Sequence, residues 1–266
     1  LFTARQYPQA EAAYAAVLTS PRLTPYRERA LYMQGWSQFK QARLEPALES
    51  FLAVLDLKLA GHDDTVPLEA LPALSRADRE LVDDSFRVVS LALENLQGAQ
   101  TIPSFTRTKA RQSYELRLYQ QLAVLYLKQD RPKDAADTYG AFVAHHPLHA
   151  QAPLLQTEVI AIHEKAGFAA LALQAKKEFV ARYGTNSPFR RTNRSGWERA
   201  QPLVRTHLAE LARHYHAASQ QTQANPEVRQ ESVREAVQWY QALLKAFPTD
   251  AEAAPNSFLL AELLYE

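Results

Sequence analysis

The sequence predicts an all-α fold built as an array of helical hairpins, and three observations carry this. Glycine is scarce, at 7 of 266 residues, while alanine reaches 44. Sandwiches, barrels and Gly-rich phosphate loops need more glycine than that, whereas Ala, Leu, Gln, Arg and Glu are good helix formers. No alternating apolar pattern is present. Apolar residues recur instead at spacings of three and four, which place them on one helix face, and the same pairs of stripes return along the chain.

In chain order, Ala10, Tyr14 and Val17 share a face and predict the second helix of a first unit over 1–22. Around Leu31 a stripe containing Gly35 precedes Ala47, Phe51 and Val54, a helix pair over 28–60. Residues 61–75 read as an irregular insertion, Gly-His-Asp-Asp followed by Pro67 and Pro72 around Leu68 and Leu71. Ser75 with Asp78 three residues later is a helix start, with acidic charge at the N-terminal end. That helix runs to Leu96 and stops at Gly98; with Leu91 and Ala92 as its marks and a short second helix near 102–108, it forms a degenerate unit over 76–112.

The clearest unit spans 116–149. Tyr119, Leu122, Ala123 and Tyr126 form one stripe, the chain breaks at 129–132, Ala135, Tyr139 and Phe142 form the next, and Pro147 ends it. A weaker copy over 150–184 pairs Val159 with Leu171, with Gly167 and Phe168 at the turn. A loop at 184–196 carries three arginines. The unit over 203–250 pairs Leu208, Leu211, Ala212 and Tyr215 with Ala236, Tyr240, Leu243 and Pro248. Its small residues, Ala212 and Ala236, stand 24 apart where the other units show twelve, and the excess falls in a polar insertion at 217–230. Phe258, Leu260, Ala261 and Leu264 then predict the first helix of an incomplete unit over 255–266. With both ends cut inside a repeat, the chain reads as a fragment of a longer array, and Leu259, Leu263 and Tyr265 are expected to be partly exposed.

This pattern resembles the tetratricopeptide repeat, a 34-residue helix–turn–helix. Leu122, Ala123, Tyr126, Ala135, Tyr139 and Pro147 occupy its positions 7, 8, 11, 20, 24 and 32. Small residues let paired helices approach closely, and aromatics fill the space between hairpins. The resemblance implies a right-handed superhelical solenoid over 1–266 as a single domain. It also implies a concave surface lined by positions 2, 5, 9, 12 and 13 of each first helix. Those are Arg29, Tyr32, Trp36, Phe39 and Lys40 in one unit, and Arg117, Gln120, Val124, Leu127 and Lys128 in the best unit. In the last complete unit they are Thr206, Ala209, Arg213 and His216. Aromatic and basic side chains together are what interface hot spots use.

Composition removes several function classes. The 30 basic and 29 acidic residues nearly cancel, which argues against a generally basic nucleic-acid binder. Without cysteine there is no disulfide, Cys-ligated zinc, iron–sulfur cluster or thiol nucleophile, and the compartment stays open. The longest uncharged stretch, 138–157, contains three His, two Pro and two Gln and cannot span a membrane. No signal peptide is visible, but the chain opens at Leu1, so a leader or anchor removed upstream remains open.

Charge is uneven along the chain: 101–133 and 182–213 each carry net +5. The second of these includes Arg190, Arg191 and Arg194 beside Trp197 and Arg199, able to hold an anion or else paired locally with Glu198 and neighbouring helices. His145, His146 and His149 surround Pro147 and read as decoration of a turn rather than as a metal site, since no acid completes them. His207, Glu210 and His214 share a face without the zincin order and read as a solvated helix face or groove contacts. The carboxylate pairs Asp63–Asp64 and Asp83–Asp84 point apart and lack a sugar platform. No nucleophile elbow, P-loop or dinucleotide fingerprint is present.

The expected function is therefore a non-enzymatic scaffold, without cofactor or metal, that binds a protein or peptide partner in its groove. The stretch 117–147 resembles bacterial tetratricopeptide proteins, including periplasmic scaffolds of envelope assembly. That resemblance implies a periplasmic location, with the cytoplasm as competitor, and peripheral membrane association through an anchor upstream. No DNA partner is expected. The alternatives are an RNA- or anion-binding helical repeat, supported by the two basic segments, and an accessory region of a larger enzyme.

Overall fold

The computed structural model describes residues 1–20, 26–71, 74–221 and 225–265. Among these, fourteen α-helices and two short 3-10 turns form the regular structure, and no strand is present. No helix among the described residues is long and apolar enough to cross a membrane. Contacts divide the chain into two compact units, Leu1–Phe142 and Val143–Glu266. Pro72, the centre of the 217–230 insertion at 222–224, the end of the first predicted unit at 21–22 and Glu266 lie outside the described residues.

The first unit holds α1 (Tyr7–Thr19), α2 (Arg27–Lys40), α3 (Leu44–Leu59), α4 (Arg76–Glu94), two single turns α5 (Ile102–Phe105) and α6 (Lys109–Gln112), and α7 (Glu115–Lys128). Helix α8 (Pro132–His145) begins here and ends in the second unit. α1 packs on α2, α2 on α3, α3 on α4, and α4 on α7. Gly35 shows why α2 and α3 can close: a Cβ there would stand 2.9 Å from the Phe51 ring. Ala47, Ala123 and Ala135 are fully buried.

Two hairpin turns share a conformation that the apolar pattern does not reveal. Ala42 (φ 58°) between α2 and α3, and Asp130 (φ 56°) between α7 and α8, both adopt the left-handed region. In each, a Gln precedes and an Arg follows, Gln41-Ala42-Arg43 and Gln129-Asp130-Arg131.

Ser75 caps α4 as its spacing predicts. Its hydroxyl accepts from the Asp78 amide at 3.1 Å, and the Asp78 carboxylate accepts from the Ser75 amide at 3.1 Å. The same carboxylate takes Lys58 of α3 at 2.6 Å, and the hydrogen bond from Lys58, then that from Ser75, lowers its pKa to about 2. Where the degenerate unit lacks a full second helix, Ile102 and Tyr114 are buried, and polar contacts tie the segment to α3. Arg111 reaches Glu49 (2.7 Å) and Asp56 (3.2 Å) on α3, and the Tyr114 hydroxyl donates to Asp56 at 2.6 Å.

The second unit holds α9 (Ala152–Lys165), α10 (Ala169–Tyr183), the short α11 (Pro188–Thr192), and the long pair α12 (Arg194–Ser219) and α13 (Pro226–Ala246), followed by α14 (Ala253–Tyr265). α9 packs on α10, α10 on α12, α12 on α13, and α13 on α14. The excess spacing between Ala212 and Ala236 goes into longer helix ends, both alanines being fully buried. Two sequence readings need correction here. Leu171 is exposed rather than paired with Val159, and the small residues buried on α10 are Ala172 and Ala175. On α14 the inward residues are Asn256 and Leu263, both buried, with Leu259 and Leu260 partly buried beside them, so Leu263 is not exposed as expected, whereas Leu259 stays partly exposed and Tyr265 fully so. Leu263 is 3% exposed against Ala212, Ala236 and Tyr240, whereas Phe258, Leu264 and Tyr265 face outward.

Candidate functional site: the faces of the first helices

In the first unit the candidate surface begins on α2, where residues spaced by three and four bring Tyr32, Trp36 and Phe39 to one side. Trp36 is half-buried and meets Phe39, Phe51 and Tyr32 edge-on, at centroid distances of 5.8, 5.9 and 6.4 Å. Two cations flank its ring, the Lys40 ammonium at 5.7 Å and the Arg87 guanidinium at 5.8 Å. Such contacts contribute about 0.5–1 kcal/mol at exposed sites. The Tyr32 hydroxyl donates to Asp84 of α4, which also accepts from Arg87. Burial, reinforced by Asp84, raises the Tyr32 pKa and keeps the phenol protonated as the donor.

Arg87 joins this cluster to a cavity of about 350 Å³ between α4 and α7, lined by Asp83, Arg87, Ser90, Gln121, Val124, Leu125 and Lys128. Burial, and secondarily Glu69, raises the Asp83 pKa. Val124 and Leu127 are exposed beside it, and Lys128 and Lys40 reach solvent. Arg29 is exposed at the start of α2 and Gln120 is half-buried. Asp83, Asp84 and Arg87 were not placed on this surface by the sequence. The degenerate unit offers no repeat register at α4, so the acids read as an isolated carboxylate pair.

Arg117 departs from the expected groove position. It is buried, and its guanidinium donates to the main-chain carbonyls of Asp63 (3.2 Å) and Val66. Burial lowers its pKa, opposed by Asp64, Asp63 and Glu69. Arg117 therefore pins the irregular 61–67 segment onto α7, and a ligand has no access to its charge.

In the second unit the corresponding face is that of α12. Thr206, Ala209 and Arg213 line a cavity of about 140 Å³ with Arg205, Glu210, Leu243, Asp250, Glu252 and Asn256. Arg205 forms a two-pronged pair with Asp250. A larger cavity, about 280 Å³, lies between α10 and α12 and includes Glu164, Lys176, Glu210 and His214. Lys176 bridges Glu164 at 2.6 Å and Glu210 at 2.8 Å. His207 does not decorate a solvated face. It is buried edge-on to Phe179 (4.8 Å), and its Nδ1 lies 3.1 Å from Glu210, which leaves Nε2 without a partner among the described residues. The hydrogen bond from His207, and then Lys176, lowers the Glu210 pKa to about 2. His216 is also corrected: its ring stands edge-on to Tyr240 of α13, with Nδ1 3.3 Å from that hydroxyl, on the seam between the paired helices.

The arginine loop is ordered by short-range contacts. Ser187 caps α11, Asn193 caps α12, and the Trp197 indole donates to the Tyr183 carbonyl at 3.2 Å. Arg190 stacks over Trp197, while Arg194 meets Glu198 at 3.4 Å. At the histidine cluster His149 Nδ1 accepts the Gln151 amide at 3.2 Å, and among the described residues no group of three His, Cys, Asp or Glu side chains converges on a point that could hold an ion.

Comparison with the curated proteins finds no match to this chain. Two segments match a family model. These are residues 29–57, which cover most of α2 and of α3, and residues 118–149, which cover most of α7, all of α8 and the turn beyond it. The model is that of the tetratricopeptide repeat, and these two segments are similar to it.

Proposed function

We propose that the protein is a non-catalytic scaffold that binds a protein or peptide partner on the α2–α4–α7 face of its first unit. Tetratricopeptide repeats commonly mediate protein–protein interaction. The observation that carries the reading is Trp36, a half-buried indole with two cations within 6 Å of its ring, joined through Arg87 to a cavity able to accept a side chain. Large aromatics beside arginine dominate interface energetics because they bury much area at little entropic cost. The cationic flanks favour a partner segment that carries acidic residues around an apolar anchor. Trp36→Ala is expected to weaken capture of the partner by about 2 kcal/mol, roughly thirty-fold, and Lys128→Glu to weaken it further while both variants keep the helical circular-dichroism spectrum. Undiminished capture by the double variant in a pull-down with purified partner would remove this face from the function.

The proposed location is the bacterial periplasm, supported by the resemblance of 117–147 to envelope-assembly scaffolds. Release of the tagged full-length protein by osmotic shock is expected, and its retention with the cytosol overturns the location without touching the binding face.

A further inference from the structure

Two segments far apart in sequence meet within the second unit. The Asn193 side chain donates to the Leu148 carbonyl at 3.1 Å, and Arg199 reaches the Ala150 carbonyl at 3.5 Å. Around this junction stand Arg190, Arg191, Arg194 and Arg199, and Glu198 is the one acid in residues 145–150 and 190–199. Glu198 is taken by Arg194. The remaining three guanidinium groups are held in place, and among the described residues none of them has a carboxylate partner. Arg190 donates to the Thr185 carbonyl at 2.8 Å and lies 4.5 Å over the Trp197 ring, Arg191 donates to the Asn186 carbonyl at 3.3 Å, and Arg199 to Ala150. A main-chain carbonyl fixes the orientation of a guanidinium while leaving its charge and its other N–H donors for an oxyanion. In the turn that Asn193 and Arg199 hold, Leu148 is 46% exposed beside exposed Pro147, an apolar tip joined to the arginine-bearing segment.

We propose that this surface docks on an anionic phospholipid bilayer, with Arg190, Arg191 and Arg199 on headgroup phosphates and Leu148 at the acyl boundary. Free phosphate gives Leu148 nothing to enter. Single-stranded RNA would call for an aromatic platform open to bases, and Trp197 is 9% exposed with Arg190 lying across it. A bilayer answers both features at once, since oriented cations meet its surface charge and an apolar residue its interior.

Co-sedimentation with vesicles of phosphatidylglycerol and phosphatidylcholine, against phosphatidylcholine alone, tests this at about 100 mM salt. Binding to the anionic vesicles and its decline with added salt are expected. The Arg191→Gln/Arg199→Gln pair should lose at least ten-fold in partitioning, the Arg191→Lys/Arg199→Lys pair should retain it, and Leu148→Ser should lose several-fold. Equal partitioning by wild type and the Gln pair, or loss by the Lys pair as well, overturns the proposal. So does tighter binding of a 20-nucleotide oligouridine than of vesicles at the same salt. Trp36→Ala should leave vesicle binding unchanged, so failure here and failure of the partner-binding face are separate results.

Discussion

Ala42 holds a backbone conformation that an L-residue adopts at a cost of about 1 kcal/mol, at φ 58° in the turn between α2 and α3. Glycine meets no such penalty, although it releases more entropy on unfolding. The balance favours Ala42→Gly by about 0.5 kcal/mol, which a rise in the urea midpoint at constant slope would register; a fall of that midpoint contradicts the strain. At this scale the sequence was only partly legible. The burial of Ala47, Ala123 and Ala135 follows from spacing, because helical periodicity reports which face is apolar. The roles of Arg117 and His207 do not. Each long or polar side chain can be solvated or buried, and the choice depends on partners distant in sequence, the 61–67 segment for one and Phe179 with Lys176 for the other.

Between elements, the α10–α12 contact combines an apolar seam with a charged link, Lys176 to Glu210 at 2.8 Å and Glu210 to His207 at 3.1 Å. The Glu210 pKa falls from 4.5 to about 2 on folding, so its ionised form stabilises the native state. That contribution is present in full above about pH 4.5 and drains away as pH drops toward 2. Wild type should therefore lose more thermal stability than Glu210→Gln across pH 5 to 2, and parallel melting curves for the two proteins would contradict the link. Elements with strong periodicity were legible as elements: α3, α7, α8 and the start of α4 all fall where the stripes and the Ser75–Asp78 spacing put them. The inward face of α14 was not legible because Leu259, Leu260, Leu263 and Leu264 offer two apolar stripes of similar strength. Packing against Ala212, Ala236 and Tyr240 selects the stripe that includes Leu263.

The chain falls into two compact units, and within each the long helices pack on the next long helix along the chain, α1 to α4 and α7 in the first, α9, α10 and α12 to α14 in the second. Repeat arrays of this kind hold together by nearest-neighbour interfaces, so local damage propagates weakly. Gly35→Val forces branched carbon into the Phe51 ring, where even a Cβ stands at 2.9 Å. It should cost about 3 kcal/mol by overpacking and lower hydrogen-exchange protection in α2 and α3. Protection in α12 and α13 should be unchanged; an equal loss there would mean one cooperative body. At this scale too, charge was more informative than its sum. The net +1 gave no hint of a surface, whereas the +5 segments contain both the buried Arg117 and the exposed arginines of the 190–199 stretch.

The position of Trp36 also has an optical consequence. The three tryptophans are Trp36, Trp197 and Trp239, and the last two belong to the second unit. With Trp197→Phe and Trp239→Phe in place, ultraviolet emission from the chain would come from one indole whose flanks carry Lys40 and Arg87. A ligand that displaces either cation alters the electric field across that ring, and the emission maximum moves with it. The protein thus contains its own spectroscopic reporter at the site where partner binding is proposed, and titrations need no attached dye.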